Sequence, residues 1–419
     1  MHGNHNIVQD LAIKARTAAF VLSQTDDSVI DAVLSDLETA LRTQTDDILK
    51  ANSLDADAAL QKNLASSMID RLTLTAERIR GMADSIADIR VLENPCGKVL
   101  EEWTRPNGLR LQKVSVPIGV LGMIYESRPN VTIDAAALAL KSRNAIILRG
   151  GSESFHSSML LHSFIVAALK KNGLPSECVC MIGSQDRSHV GDMLNAAGYI
   201  DVLIPRGGKG LTGRVMNEAK MPVFAHLDGN CHIYIHPSAK PDLALSVVKN
   251  AKLRRTGICG AAESLLLDQK LDTSLARDIV GMLLKEGVEI VGDGAAQALD
   301  KNIKPAVEED WSAEYLDKKI SIKYVKDVGD AVAHINHYGS HHTDCILAED
   351  KSSAQYFLTN VDSAIVMHNA STQFADGGEF GFGAEIGIGT GKLHARGPVG
   401  VRQLCTFKYK VLGDGQIRP

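Results

Sequence analysis

From residue 117 to residue 367, short apolar runs alternate with helix-length amphipathic segments, and this alternation confines the chain to a parallel α/β fold. The first series places strands at 120–124, 145–148, 179–182, 202–204 and 223–225, with helices at 130–140, 155–170, 190–197 and 211–219 between them. Parallel neighbours need a crossover rather than a tight turn, and each intervening helix supplies one. A second series follows His226, with strands at 233–236, 264–267, 288–291, 320–325, 345–347 and 364–367. Its helices fall at 243–253, 274–285, 330–337 and 353–359. A chain of 419 residues exceeds one simple core, so the two series read as two Rossmann-type α/β domains with parallel sheets.

The remaining segments attach to this frame. Residues 1–90 are helix-rich, with stripes such as Ile7, Leu11, Ala15, Ala18 and Leu22, then Val29, Ala32, Val33, Leu37 and Leu41, then Ile79, Met82, Ile86 and Ile89. Residues 109–116 and 404–412 alternate as strands outside both series and pair as a β-strand arm, whose exposed edge calls for a covering partner. The resulting division is 1–104 with 117–227 as a cofactor-binding domain, 228–395 as a catalytic domain, and 105–116 with 396–419 as an oligomerisation arm.

Composition excludes several classes. The net charge is −5 without a basic stripe, which argues against nucleic acid as a partner. Seven cysteines without framework spacing read as free thiols of a reducing compartment, and Cys178-x-Cys180 on a strand reads as core. No secretory signal and no membrane-length apolar run is visible, so a cytoplasmic location is expected.

The chemistry concentrates in NAKLRRTGICGAAESLLL, residues 250–267. Cys259 sits between Gly257 and Gly260, on a turn from a helix into a strand. Such a turn presents a side chain to a cleft, and the glycines let a substrate approach the backbone. Arg254 and Arg255 precede it, and positive charge beside a cysteine favours the nucleophilic thiolate.

Two glycine-rich turns lie in the first series. Arg149-Gly150-Gly151-Ser152-Glu153 follows one strand and opens a helix, where backbone N–H groups favour an anion. Arg206-Gly207-Gly208-Lys209-Gly210-Leu211-Thr212-Gly213 repeats that context and matches G-x-G-x-x-G, with Asp228 at ribose-acid spacing from Gly208. The cations Arg149, Arg206 and Lys209 suit a phosphate-bearing nucleotide. A nucleotide domain followed by a cysteine domain suggests hydride transfer to a thiol-bound acyl group. His334, His337, His341 and His342 cluster in sequence, but Tyr338-Gly339-Ser340 breaks any helix there and no ligand spacing emerges, so no metal is expected.

These pieces resemble the aldehyde dehydrogenase superfamily, and within it the gamma-glutamyl phosphate reductases. The resemblance spans nearly the whole chain. It is carried by VSVPIGVLGMIYESRPNVT, LRGGSES, IPRGGKGL, HLDGNCHIY, RRTGICGAAESLLL and, most distinctively, FADGGEFGFGAEIGIGTGKLHARGPVGVRQLCTFKYKV. It implies NADPH as reductant, an acyl phosphate substrate supplied by a separate glutamate 5-kinase, and a homodimer or higher homo-oligomer. It places Cys259 as the catalytic nucleophile and Arg149 where the superfamily usually has a cofactor-binding lysine. Gly207, Gly208 and Gly210 then stand at the loop opening the cofactor helix, and Glu314 at the position of a glutamate contacting the nicotinamide ribose.

Two departures bear on the reaction. Hydrolytic members carry a general-base glutamate where this chain has His226 in His226-Leu227-Asp228-Gly229, so His226 is either a base or a positioning residue. Missing that glutamate argues against the alternative, a hydrolytic dehydrogenase oxidising a small aldehyde to its acid. The superfamily's oxyanion asparagine falls in Glu126-Ser127-Arg128-Pro129, leaving Asn130 or Ser127 as the side-chain donor. Arg128, Arg254 and Arg255 are the candidates to receive the phosphate, since guanidinium matches its geometry.

Overall fold

The computed structural model describes residues 6–418, which form two compact units. One holds the chain up to Ala225, with Gly381–Gly387 and the residues from Val399 onward; the other holds His226–Phe380 and Ile388–Pro398. No helix among the described residues is long and apolar enough to cross a membrane.

The first unit is built on a four-stranded parallel sheet in the order Val179–Met181, Ala145–Arg149, Val120–Tyr125, Val202–Arg206. Its two central strands are buried throughout, which is why they read as continuous apolar runs rather than alternations. The expected strand at 223–225 is reduced to a single bridge between Leu203 and Val223. Of the N-terminal helices, Ile7–Ser23 packs on the sheet, and the longer ones after it pack on helices Asn130–Lys141 and Phe155–Lys171. On helix Ile7–Ser23 the buried stripe is Val8, Ala12, Ala15, Ala18, Ala19 and Leu22, which keeps Ala15, Ala18 and Leu22 of the expected stripe and replaces Ile7 and Leu11 by their neighbours. Ile7 is 40% exposed because the alanines form the narrower contact face.

A three-stranded antiparallel sheet belongs to the same unit. Strand Cys405–Leu412 pairs with Arg110–Pro117 along its full length, as the sequence pattern suggests, and within one chain. A third strand, Val99–Thr104, pairs on the other side of Arg110–Pro117, although its residues read as part of the cofactor-binding segment. Both Val99 and Leu100 are half-exposed, so the strand has no buried alternation to announce it. Asn144 fixes the base of the terminal strand: its amide donates to the Leu404 carbonyl at 2.8 Å and its oxygen accepts from the Gly119 N–H at 2.7 Å.

The second unit is built on seven parallel strands in the order Lys304–Pro305, Glu289–Gly292, Lys319–Val325, Ala262–Asp268, Cys231–Ile235, Thr343–Leu347, Ile365–His368. One face buries Ile233, Ile235, Leu265, Leu267, Ile320 and Ile322 under helices Pro241–Leu253 and Thr273–Lys285. Each such side chain contributes about 1.5–3 kcal/mol on burial. The opposite face buries Tyr234, Leu266 and Ile346 against Phe357 of helix Lys351–Asn360, and at one end carries a lateral polar row, Ser321, Ser264, His232 and Asp344. Asp344 accepts from both the N–H and the Nδ1–H of His232, at 2.9 and 3.0 Å, which satisfies two donors deep in the sheet.

Candidate active site

Sheet order brings two histidines and a cysteine together. Strand Cys231–Ile235 lies between Ala262–Asp268 and Thr343–Leu347, and all three run in the same direction. The residues entering these strands therefore meet at one edge of the sheet. They are His226, Cys259 and His342, whose ligand-capable atoms lie within 4.8 Å of one another.

Cys259 is half-buried on the turn between helix Pro241–Leu253 and strand Ala262–Asp268, as the glycine pattern implies. The turn is clamped at several points. Gln373 donates its amide to the carbonyls of Ala251 and Arg255, at 2.9 and 3.0 Å. The buried Cys231 thiol donates to the Cys259 carbonyl at 3.1 Å, and burial pushes that thiol well up, so it stays a protonated donor. Below the turn, Lys252 and Glu263 form a fully buried pair at 2.5 Å that ties the end of the helix to the start of the strand. Burial pushes Glu263 up to about 7 and Lys252 down. Removing one partner of such a pair costs about 3–5 kcal/mol, because the other charge is left buried and alone.

The flanking glycines differ in purpose. A Cβ at Gly257 would meet nothing within 4 Å, whereas one at Gly260 would lie 3.0 Å from the Thr372 carbonyl. The tightest approach is at Gly229: a Cβ there would lie 2.2 Å from the Cys259 carbonyl oxygen and 2.5 Å from its Cα. Gly229→Ala is therefore expected to push Cys259 aside and lower kcat about 100-fold, the scale associated with displacing a reacting group by an ångström. Gly257→Ala should have a much smaller effect. Steady-state rates of the two variants, with circular dichroism to establish folding, check this; equal rates would remove the positioning role.

His226 Nδ1 lies 2.8 Å from the Ile388 carbonyl. A carbonyl only accepts, so Nδ1 carries the hydrogen and Nε2 of the neutral ring carries the lone pair. The His342 ring is buried, 4.9 Å from the His226 ring at 74°, with Nδ1 2.9 Å from the Thr343 hydroxyl. The four sequence-clustered histidines do not share one place. His334 packs against His232 and lies 3.3 Å from the Lys323 ammonium, and burial pushes it down to about 3. His341 Nδ1 meets the Asp362 carbonyl.

Glu314 accepts the Gly229 N–H at 2.8 Å, which holds its carboxylate on the segment that meets Cys259. Arg254 and Arg255 are exposed beside the turn. Gly229, Cys231 and Gln373 carry no signal in the sequence, and His342 stands out there only as one of four clustered histidines. Only their meeting with Cys259 in the folded sheet gives them a role.

The first unit carries the glycine-rich turns. The Arg149 guanidinium donates to the Gly150 carbonyl at 2.9 Å and to those of Gln185 and Asp186 at 3.4 Å; burial lowers its pKa, and its Nε has no hydrogen-bond partner among the described residues. Glu153 accepts from the Ser127 N–H and hydroxyl, at 2.7 and 3.0 Å, with Ser127 held at φ 45°. At the second turn Gly208 caps helix Lys209–Glu218, and its N–H donates to Glu126 at 3.0 Å. Gly207 has no room for a Cβ beside Glu126, while Gly208 and Gly210 face open space. The acid at this turn is Glu126, at the end of strand Val120–Tyr125, and Asp228 belongs to the other unit. Asn130 donates to Asp134 at 3.0 Å, and burial pushes Asp134 up to about 6.

Residues 2–303 match the model of the aldehyde dehydrogenase family. The chain is 53% identical over 413 residues to the gamma-glutamyl phosphate reductase of Paramagnetospirillum magneticum, covering 99% of this chain and 98% of that one. It is also 53% identical over 415 residues to the same enzyme of Rhodopseudomonas palustris, covering 99% and 96%. The chain belongs to the gamma-glutamyl phosphate reductase family. The crystal structure of a Thermotoga maritima gamma-glutamyl phosphate reductase superposes with a TM-score of 0.95 at 42% identity, covering 98% of this chain and 99% of that one. An acetylating aldehyde dehydrogenase from Geobacillus thermoglucosidasius shares the fold alone, with a TM-score of 0.70 at 18% identity, 98% of this chain and 97% of that one being covered. The fold is thus the aldehyde dehydrogenase-like α/β fold with parallel sheets and a small antiparallel sheet.

Proposed function

We infer that the chain reduces L-glutamyl 5-phosphate to L-glutamate 5-semialdehyde with release of phosphate, the second step of proline synthesis from glutamate. The observation that carries this reading is 53% identity to a gamma-glutamyl phosphate reductase over essentially the whole chain. The clamped Cys259 turn supplies the chemistry.

Cys259 is the nucleophile. His226 Nε2 accepts the thiol proton, and the thiolate attacks the acyl phosphate carbon. Phosphate leaves, and a thioacyl enzyme remains. Arg128, Arg254 and Arg255 are the proposed phosphate contacts. The Cys259 N–H is the proposed backbone donor to the oxyanion, and Asn130 the proposed side-chain donor. Ser127 is the weaker choice, since its hydroxyl is already given to Glu153. One such donor is typically worth about 10²–10³ in rate.

The donor set of the first unit fits a dinucleotide: two strand-to-helix turns, cations at both, and an orphaned buried nitrogen on Arg149. Gly150, Gly151, Ser152 and Glu153 form the first turn, and Arg206, Gly207, Gly208, Lys209 and Gly210 the second. NADPH, when bound, supplies the hydride that takes the thioacyl group to the aldehyde level. Glu314, already fixed by Gly229, is the proposed ribose contact. A homo-oligomer built on the strand arm is proposed too, and sedimentation at the mass of one chain would rule it out.

A coupled assay tests the function. Glutamate, ATP and a separate glutamate 5-kinase generate the acyl phosphate, and NADPH loss is followed. Turnover should require all components and run at least tenfold slower with NADH at equal concentration. No NADPH loss while the kinase forms acyl phosphate would overturn the activity. Equal rates with NADH would overturn the assignment of Arg149, Arg206 and Lys209.

A further inference from the structure

We propose that His226, Cys259 and His342 form a three-ligand site for a thiophilic divalent cation, zinc above all, and that the occupied site masks the nucleophile. The three donors come from three separate segments, and their ligand-capable atoms already lie within 4.8 Å of one another. Around a tetrahedral zinc with bonds of 2.0–2.3 Å, donors stand about 3.3–3.8 Å apart, so a small inward movement of side chains completes the site. Two imidazole nitrogens and one thiolate suit zinc and exclude magnesium and calcium, which prefer oxygen.

The surroundings are those of a ligand set. His226 gives its Nδ1–H to the Ile388 carbonyl at 2.8 Å, the outer contact that fixes the tautomer and turns Nε2 toward ligation. His342 has Nδ1 2.9 Å from the Thr343 hydroxyl, a second contact that orients its ring. The backbone of the third ligand is immobilised by Gly229, and Cys231 holds its carbonyl. The Cys231 thiol is committed to the Cys259 carbonyl at 3.1 Å, which leaves it a hydrogen-bond donor rather than a fourth ligand. His226 and Cys259 are half-buried, so the cation has access and water takes the fourth position.

Binding forms two zinc–nitrogen bonds and one zinc–sulfur bond, and releases the Cys259 thiol proton to solvent. No electron is transferred. The sulfur lone pair that would attack an acyl carbon is held by the metal, so turnover stops until the cation leaves. This masking rests on Cys259 being the nucleophile; the metal site does not.

The test uses the full-length, metal-free protein and the metal alone. Equilibrium dialysis should find one zinc per chain, and Co²⁺ in its place should give sulfur-to-cobalt charge-transfer absorption. Zinc should slow alkylation of Cys259 by iodoacetamide at least tenfold, located by peptide mass spectrometry, and a chelator should restore the rate. Cys259→Ser should lose the charge-transfer band, and His226→Gln and His342→Gln should each weaken zinc binding at least tenfold. Thermal melts verify folding of each variant. Stoichiometric zinc unaffected by His342→Gln, or unchanged alkylation of the wild-type protein, would overturn the site. Protection from alkylation without loss of turnover would instead overturn the role of Cys259 as nucleophile, leaving the metal site standing.

Discussion

Cys259→Ala should reduce turnover by about five to six orders of magnitude, the scale of loss when a covalent nucleophile is removed from a site whose parts act as a unit. NADPH affinity should stay within about twofold, because the glycine-rich turns that fit the cofactor lie in the first compact unit and Cys259 in the second. Three of the remaining thiols are poor substitutes. Burial pushes Cys178, Cys180 and Cys345 up to about 12, so none is a thiolate at neutral pH. Cys231 is the one whose replacement needs care, since alanine there leaves the Cys259 carbonyl without its donor, whereas serine keeps one. Single-turnover kinetics and fluorescence titration with NADPH measure the two quantities separately. Residual activity within a hundredfold of the parent would sink the covalent mechanism.

That the fold is legible in the sequence follows from burial on both faces of its strands. Residues 120–124 and 145–148 read as apolar runs because helices cover them on both sides. Strand Val99–Thr104 escapes notice because it is exposed, and nothing in Val-Leu-Glu-Glu-Trp-Thr marks an inner face. The Ile7 stripe holds at Ala15, Ala18 and Leu22 and departs only at its start, where Val8 and Ala12 are buried beside Ile7 and Leu11. In the site, Cys259 announces itself through local glycines. His342 does not, because its meeting with His226 and Cys259 depends on strand Cys231–Ile235 lying between two partners remote in sequence. Chain order places His342 beside His334, His337 and His341; sheet order places it beside Cys259. Gly229 is equally silent in sequence. Its lack of a Cβ matters only because the Cys259 backbone presses on it.

The fate of the thioacyl group is the sharper test of the reaction type. A thioester yields to hydride, phosphate or water, and hydrolytic relatives use a carboxylate base to favour water, a contribution of about 10²–10⁴ in rate. Here that position holds His226, whose Nδ1–H is committed to the Ile388 carbonyl. The ring lies in the cluster with the Cys259 thiol, which suits exchange of the thiol proton. An imidazole can also draw a proton from water near neutral pH, so the absence of a carboxylate does not alone decide the outcome. The reverse assay does. Glutamate semialdehyde and NADP⁺ are supplied with increasing inorganic phosphate. NADPH should form in proportion to phosphate until saturation, and at least a hundredfold more slowly without it, with glutamyl phosphate as the product trapped by hydroxylamine. Sustained NADPH formation in the absence of phosphate, with glutamate accumulating, would mean that water releases the acyl group. In that case His226 serves as the hydrolytic base, and oxidation of an aldehyde to its acid replaces reduction of an acyl phosphate as the reaction this site is built for.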